Sequence, residues 1–247
     1  MADTGALILH GFTSTAASMA PLAEAISEAG FEVEVPLLPG HGTTWEELAA
    51  TRAETILDAV DVAHQHLAQR CRTVIPVGLS MGGALALRSA ARHRSPAVVP
   101  INPGLRLKPG TGPAARALSL LRPTIASIAG DVAKPGVPEQ AYEVTPLRAV
   151  AELNRIFRAA RASLPTLAEQ GTDVLLMRSA VDKVVGSASA ALLKDALPNQ
   201  VQEVILRRSR HVATLDFDAD LLQRRTIDFL GRYSRPSDGG TGRVPAH

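Results

Sequence analysis

Two hydrophobic rhythms alternate along this chain. Short, almost wholly apolar runs, of the kind that form strands covered on both faces, are separated by stretches whose apolar positions recur every three or four residues, as on an amphipathic helix. Residues 5–9 form the first such run and predict a central parallel strand ending at His10-Gly11. Residues 19–29 follow with helical spacing, placing Leu22, Ile26 and Ala29 on one face and Gly30 at the C-cap. Residues 31–35 read as the next strand, leaving through the proline- and glycine-rich turn PLLPGHG. Thr44, with Glu47 three residues on, caps a helical run over 45–69 that accommodates one break. A strand over 73–79 then enters the turn at Ser80, a helix leaves it through ALALRSAARHR, and Ala97–Ile101 forms a further strand despite its interior Pro100.

Between 103 and 171 the rhythm changes. Prolines and glycines cluster over 103–146, interrupted by the apolar pieces ALSLL and TIASIAG, both read as helical, and 152–167 predicts a longer helix. A connection of this length in a compact domain is more often a lid or binding loop than a linker. The alternation resumes with a strand at 173–178, a helix at Ser187–Ala196, a strand at Val201–Leu206 and a closing helix over 219–233. The expectation is one α/β domain over 1–233, a mostly parallel, doubly wound sheet with helices on both faces and a cap insertion at about 103–170. The low-complexity tail 234–247 is expected to be disordered. In such a sheet ligands bind at the carboxyl ends of the strands.

Composition narrows this only a little. With 46% hydrophobic and 20% charged residues the chain is ordinary for a globular protein, and a formal charge of +2 argues against nucleic acid. The single cysteine, Cys71, leaves no intramolecular disulfide and no thiolate metal site. No apolar segment resembles a membrane span or a signal peptide, so the expectation is a cytoplasmic protein without stable membrane insertion.

The candidate chemistry begins at VGLSMGG. A serine between a strand and a helix, with Gly78 and Gly82 two residues to either side, has the form G-x-S-x-G. By itself the pattern favours the plainer reading, a glycine-rich strand-to-helix connection with a surface serine. An alcohol needs a base within reach and an acid to orient that base. Asp182 follows the strand DVLLMRS and His211 follows the strand VQEVILR, so both fall on the rim expected for Ser80. The chain order Ser80, Asp182, His211 is that of the α/β-hydrolase arrangement and not of chymotrypsin-like or subtilisin-like enzymes. Asp173 starts its strand at the wrong end, and Asp216 and Asp218 lie beyond His211. His64 and His66 point in different directions on a helix, His93 ends one, and His247 is in the tail. Oxyanion donors are expected from the N–H groups of Met81 and of Phe12, with Gly11 allowing a close backbone approach. His10 and His41 are read as structural. No H-E-x-x-H, C-x-x-C, Walker loop or G-x-G-x-x-G after a strand is present, so neither metal nor cofactor is expected.

With LILHGFTS, PLLPGHGT, GLSMGG, VDKVV and SRHVATLDFD in place, the chain resembles the bacterial monoacylglycerol lipases and the small thermostable carboxylesterases of the α/β-hydrolase fold over 6–233. The segment IAGDVAKPGVPEQAYEVTP (128–146) is similar to the cap of the lipases. The resemblance implies a serine esterase acting on a small ester or lipid, chiefly monoacylglycerols. It also implies that Ile128 and Glu139 shape the acyl and glycerol pocket; Glu139 reads equally as a solvated carboxylate. Leu118, Leu121, Ile125 and Ile128 could line an acyl site or pack the cap onto the body. Residues 103–123 match poorly and carry more arginine, which leaves a broad carboxylesterase, a thioesterase or an acyltransferase open. A non-catalytic hydrolase-like binding protein is the remaining alternative, and oligomeric state is not legible.

Overall fold

The apolar runs assemble into a parallel sheet. The computed structural model describes residues 2–107, 118, 122–127 and 129–234. Leu121, Ile128 and, apart from Ser234, the tail expected at 234–247 lie outside these residues, as does ALSLL except for Leu118. In chain order the elements are β1 (Ala2–Leu9), α1 (Ala20–Glu28), β2 (Glu32–Glu34), α2 (Trp45–Ala50), α3 (Ala53–Ala68), β3 (Cys71–Leu79), α4 (Met81–His93) and β4 (Ala97–Ile101). They continue with β5 (Thr124–Ala126), β6 (Val144–Pro146), α5 (Leu147–Gln170), β7 (Asp173–Ser179), α6 (Ser187–Ala196), β8 (Val201–Leu206) and α7 (Ala219–Gly231). Six strands pair in the order β2-β1-β3-β4-β7-β8, every pairing parallel.

The chain passes from β1 outward to β2 and then returns to lay β3 on the other side of β1. That reversal opens a crevice between the carboxyl ends of β1 and β3, where an open α/β sheet binds its ligands. The sheet is covered on both faces, which is why its strands lack polar alternation. Leu7 and Leu9 of β1 belong to one core cluster with α3, α4 and α5, while Ala6 and Ile8 belong to the other with α1 and α7.

The helical run expected over 45–69 is two helices. Thr51 and Arg52 adopt extended backbone between them, and Glu152 of α5 accepts the Ala53 N–H at 2.9 Å, placing a carboxylate at the α3 N-terminus. Pro100 stands inside β4 after all, opposite Gly78 of β3. The connection from β4 to β7 divides in two. α5 extends to both sides of the predicted 152–167 and buries Leu153, Ile156, Phe157, Ala160 and Leu164 in the main core. The part before it is organised by a small hairpin.

Here the sequence reading of TIASIAG as helical is corrected: Thr124–Ala126 is a strand, paired antiparallel with Val144–Pro146. The β-branched Thr124 and Ile125 favour extended backbone, and the partner strand supplies their hydrogen bonds.

Cys71 opens β3 and is buried, with its Sγ so close to Gly5 that a Cβ there would approach it to 2.5 Å. Burial, and then the negative charge of Glu32, push its thiol pKa up.

Candidate active site

Ser80 sits at the N-cap of α4 with φ 58° and ψ −113°, outside the regions favoured by a non-glycine residue. The strain is held by its surroundings. The Ser80 N–H donates to Ile101 O at 2.9 Å, and its carbonyl accepts the N–H groups of Ala84 and Gly104 at 3.2 and 3.1 Å. Glycine is required on both sides. A Cβ on Gly78 would stand 2.1 Å from Gly82 O, and one on Gly82 would stand 2.0 Å from Leu9 O. At Gly11 a Cβ would meet only ordinary protein contacts at 3.7 Å. The tight contact with the first strand is made by Gly82.

Asp182 and His211 come from the loops after β7 and β8. The His211 ring nitrogen Nδ1 lies 2.8 Å from Asp182 Oδ2, both side chains being almost fully buried. The other carboxylate oxygen, Oδ1, accepts the N–H groups of Val184 and Val185, each at 2.8 Å. Those bonds fix the carboxylate with one oxygen turned to the imidazole, which leaves Nε2 as the free ring nitrogen. His211 and Ser80 line one cavity of about 1000 Å³ together with Gly11 and Phe12. Met81 is the first residue of α4, so its N–H has no acceptor within the helix.

Two positions missed in the sequence hold this arrangement. Asn102 leaves β4 with φ 42°, donates from Nδ2 to His211 O at 2.8 Å and to Ser179 Oγ at 2.9 Å, and accepts the Ser179 N–H at 2.7 Å. Asp131, between the hairpin strands, accepts the N–H groups of Lys183 at 3.1 Å and His211 at 3.2 Å. A buried Asn at a strand exit was visible in AVVPIN. Asp131 had no local signal, because its partners are 52 and 80 residues away. Tyr142 is a third: its hydroxyl donates to Gly40 O at 2.8 Å and accepts the Thr43 N–H at 3.1 Å, tying the hairpin region to the PGHG turn.

The other histidines fall into place. His10 Nδ1 lies 3.0 Å from Gly11 O and Nε2 accepts the Leu38 N–H at 3.1 Å, which identifies the neutral ring. Burial, reinforced by His41, lowers its pKa to about 4. His41 is also buried, 3.0 Å from Pro39 O. His64 stacks on His93 at 4.0 Å and contacts Ser89, while His66 is exposed beside Glu34. Asp173 receives the Tyr233 hydroxyl, and Asp216 and Asp218 accept backbone N–H groups in the loop of His211.

Among the expected pocket residues, Glu139 lines the cavity and accepts the Gly130 N–H at 2.7 Å. Ile125 lines it too, with Leu153 and Phe157, whereas Leu118 is exposed. Arg106 reaches the cavity wall from the stretch 103–123, which contains no Asp or Glu.

The chain is similar to known proteins over most of its length. Residues 6–224 match the model of the alpha/beta hydrolase family. The thermostable monoacylglycerol lipase of Bacillus sp. (strain H-257) is 35% identical over 93% of this chain and 91% of its own, and a carboxylesterase of Bacillus subtilis (strain 168) is 23% identical over 92% of each. Among solved structures, one from the metagenome-derived lipolytic enzymes LipS and LipT superposes with a TM-score of 0.88 at 33% identity, covering 94% of each chain. The monoacylglycerol lipase of Paleococcus ferrophilus has the same fold at 16% identity, with a TM-score of 0.75 over 94% of this chain and 97% of its own. The chain belongs to the alpha/beta hydrolase family.

Proposed function

We propose that this protein is a serine hydrolase of carboxylic esters, most suited to monoacylglycerols, with Ser80 as nucleophile, His211 as base and Asp182 as its orienting acid. The observation that carries this reading is the 2.8 Å contact of His211 Nδ1 with Asp182, His211 in turn lining one cavity with the strained Ser80. His211 Nε2 takes the Ser80 proton as Oγ attacks the ester carbonyl, and Asp182 stabilises the imidazolium that forms. The N–H groups of Phe12 and Met81 receive the oxyanion, each worth about 3 kcal/mol in the transition state. Collapse of the tetrahedral intermediate breaks the ester C–O bond, and His211 returns the proton to the departing alcohol. Water, deprotonated by His211, then releases the acid from the acyl-serine.

The apolar wall of Ile125, Leu153 and Phe157 suits an acyl chain, and Glu139 suits a hydroxylated head such as glycerol. The similarity to the Bacillus sp. (strain H-257) monoacylglycerol lipase supports that choice, and Ile128 is proposed as a further contact to the acyl chain. A broad carboxylesterase, or a thioesterase or acyltransferase with the same triad, is the second reading; the Arg106 cation on the wall favours testing esters with anionic groups. Among the described residues no helix is long and apolar enough to cross a membrane.

Ser80→Ala is expected to lower turnover of monoacylglycerols by about a millionfold and to abolish fluorophosphonate labelling. Hydrolysis persisting near the parent rate in that variant rejects the assignment. Faster turnover of short p-nitrophenyl esters or thioesters than of monoacylglycerols replaces the lipase reading by the second.

A further inference from the structure

The hairpin region and the loop of His211 hold each other by reciprocal carboxylates. From the hairpin side, Asp131 Oδ2 accepts the N–H groups of Lys183 at 3.1 Å and His211 at 3.2 Å, and its carbonyl accepts the Val212 N–H at 3.1 Å. From the loop side, Asp216 accepts the N–H groups of Ala133 at 2.7 Å and Lys134 at 2.9 Å while also bonding Arg210 N–H at 2.8 Å in its own loop. Lys183 directly follows Asp182 in the chain. One oxygen of Asp131 therefore joins the backbone next to Asp182 to the backbone of His211. The Asp131 side chain is only 11% exposed and lines the same cavity as Ser80 and His211. Arg210 Nε, 3.9 Å from Asp131 Oδ1, adds a cation beside the carboxylate.

We infer that Asp131 is a positioning residue, setting the separation of the Asp182 and His211 loops so that the triad is aligned only while the segment 129–134 is seated against them. This rests on the reading of Ser80, Asp182 and His211 as the hydrolytic triad. Asn102 grips the His211 carbonyl independently from β4, so loss of Asp131 loosens the base without releasing it. Misplacement of a reacting group by about 1 Å costs on the order of a hundredfold in rate. The expected loss is accordingly about 10- to 100-fold, far below that for removing the triad itself.

The test compares Asp131→Ala and Asp131→Asn with the parent on p-nitrophenyl acetate and p-nitrophenyl octanoate, alongside fluorophosphonate labelling of Ser80 and thermal melts. Asp131→Ala should lower kcat about 10- to 100-fold on both esters, leave KM within about threefold, and slow labelling in the same proportion. Asp131→Asn retains an oxygen able to accept both N–H groups and should recover most of the loss. A folded Asp131→Ala that labels within twofold of the parent overturns the inference. So does a rise in KM at unchanged kcat, which assigns Asp131 to substrate binding. If Asp131→Ala does not fold, the Asn variant decides: activity below one-tenth of the parent with an unshifted melt overturns the hydrogen-bond account. Failure of the parent to label rejects the hydrolase reading itself, an outcome separate from any difference between the parent and the Asp131 variants.

Discussion

Asn102 and Asp131 grip the same peptide unit from opposite sides, and they do so with different backing. Asn102 stands at the exit of β4, buried, in a left-handed backbone conformation fixed by three side-chain hydrogen bonds to Ser179 and His211. Ser80 beside it also has a positive φ, 58°, but is held through its backbone, by bonds to Ile101, Ala84 and Gly104. The sheet rim holds this strained geometry through the hydrogen bonds made at Ser80 and Asn102. Asp131 belongs to a region whose regular structure is a hairpin of two three-residue strands, attached to the body through a few long-range bonds made by Asp131, Tyr142 and Asp216. Rim and hairpin region thus share the task of holding one histidine, and changes in the two should differ in kind.

The largest difference is expected at the triad. Asp182→Asn, which presents an amide to Nδ1 and favours the wrong tautomer, should cost about 10⁴-fold in kcat with little change in the melt. A loss below tenfold would mean that the rim does not depend on that tautomer. Next, Gly82→Ala drives a Cβ into the backbone of Leu9 and His10, and should lower unfolding free energy by about 3 kcal/mol or more, with loss of activity. Urea denaturation at parent stability would show the elbow to be plastic.

Acid should separate the two regions by pH. His10 and His64 have folded pKa values of about 4, lowered first by burial, against about 6.5 when unfolded. As pH falls below 6.5 the unfolded chain takes up protons that the folded one refuses. Stability is therefore full above 6.5 and declines down to 4, by about 3 kcal/mol per histidine at most. Asp216 loses stability in the same direction but in a lower window, and with its charged form favoured: burial works against its charge, but the N–H groups of Ala133, Arg210, Phe217 and Lys134 hold its pKa below the usual range. Its contribution is present above about 3.9 and is lost only as pH falls further. Chemical denaturation across pH 7 to 3 should show body stability falling first, and Asp216→Asn should remove only the lower part of the profile.

Smaller effects follow from single contacts. Asn102→Ala strands the Ser179 N–H and the His211 carbonyl and should cost about 2 kcal/mol, or roughly 4 to 8 °C in Tm for a chain of this size. Tyr142→Phe removes the link to Gly40 and Thr43 and should cost about 1 kcal/mol. If Tyr142→Phe proved the more damaging of the two, the ranking of rim over hairpin would be reversed.

The fold and the meeting of Asp182 with His211 were legible because both follow from local pattern. Apolar runs mark the strands, and a polar residue just past a strand end in a parallel sheet must land on the common rim. What was not legible depends on long-range pairing. Thr124–Ala126 is a strand only because Val144–Pro146 lies beside it, and Asp131 matters only because two distant loops offer it N–H groups. Nothing near Tyr142 in the chain indicates that its hydroxyl reaches residues 40 and 43.

Cys71 gives the protein a built-in reporter. It is the only thiol in the chain, sealed against Gly5 where β1 meets β3, and its raised pKa keeps it protonated. A disulfide reagent such as dithiobisnitrobenzoate can modify it only when the amino end of the β1–β3 pair opens and the thiol ionises, since the thiolate is the reactive form. The rate of colour development therefore times the opening of that end of the sheet in the unmodified protein. Events confined to the hairpin would leave that clock untouched.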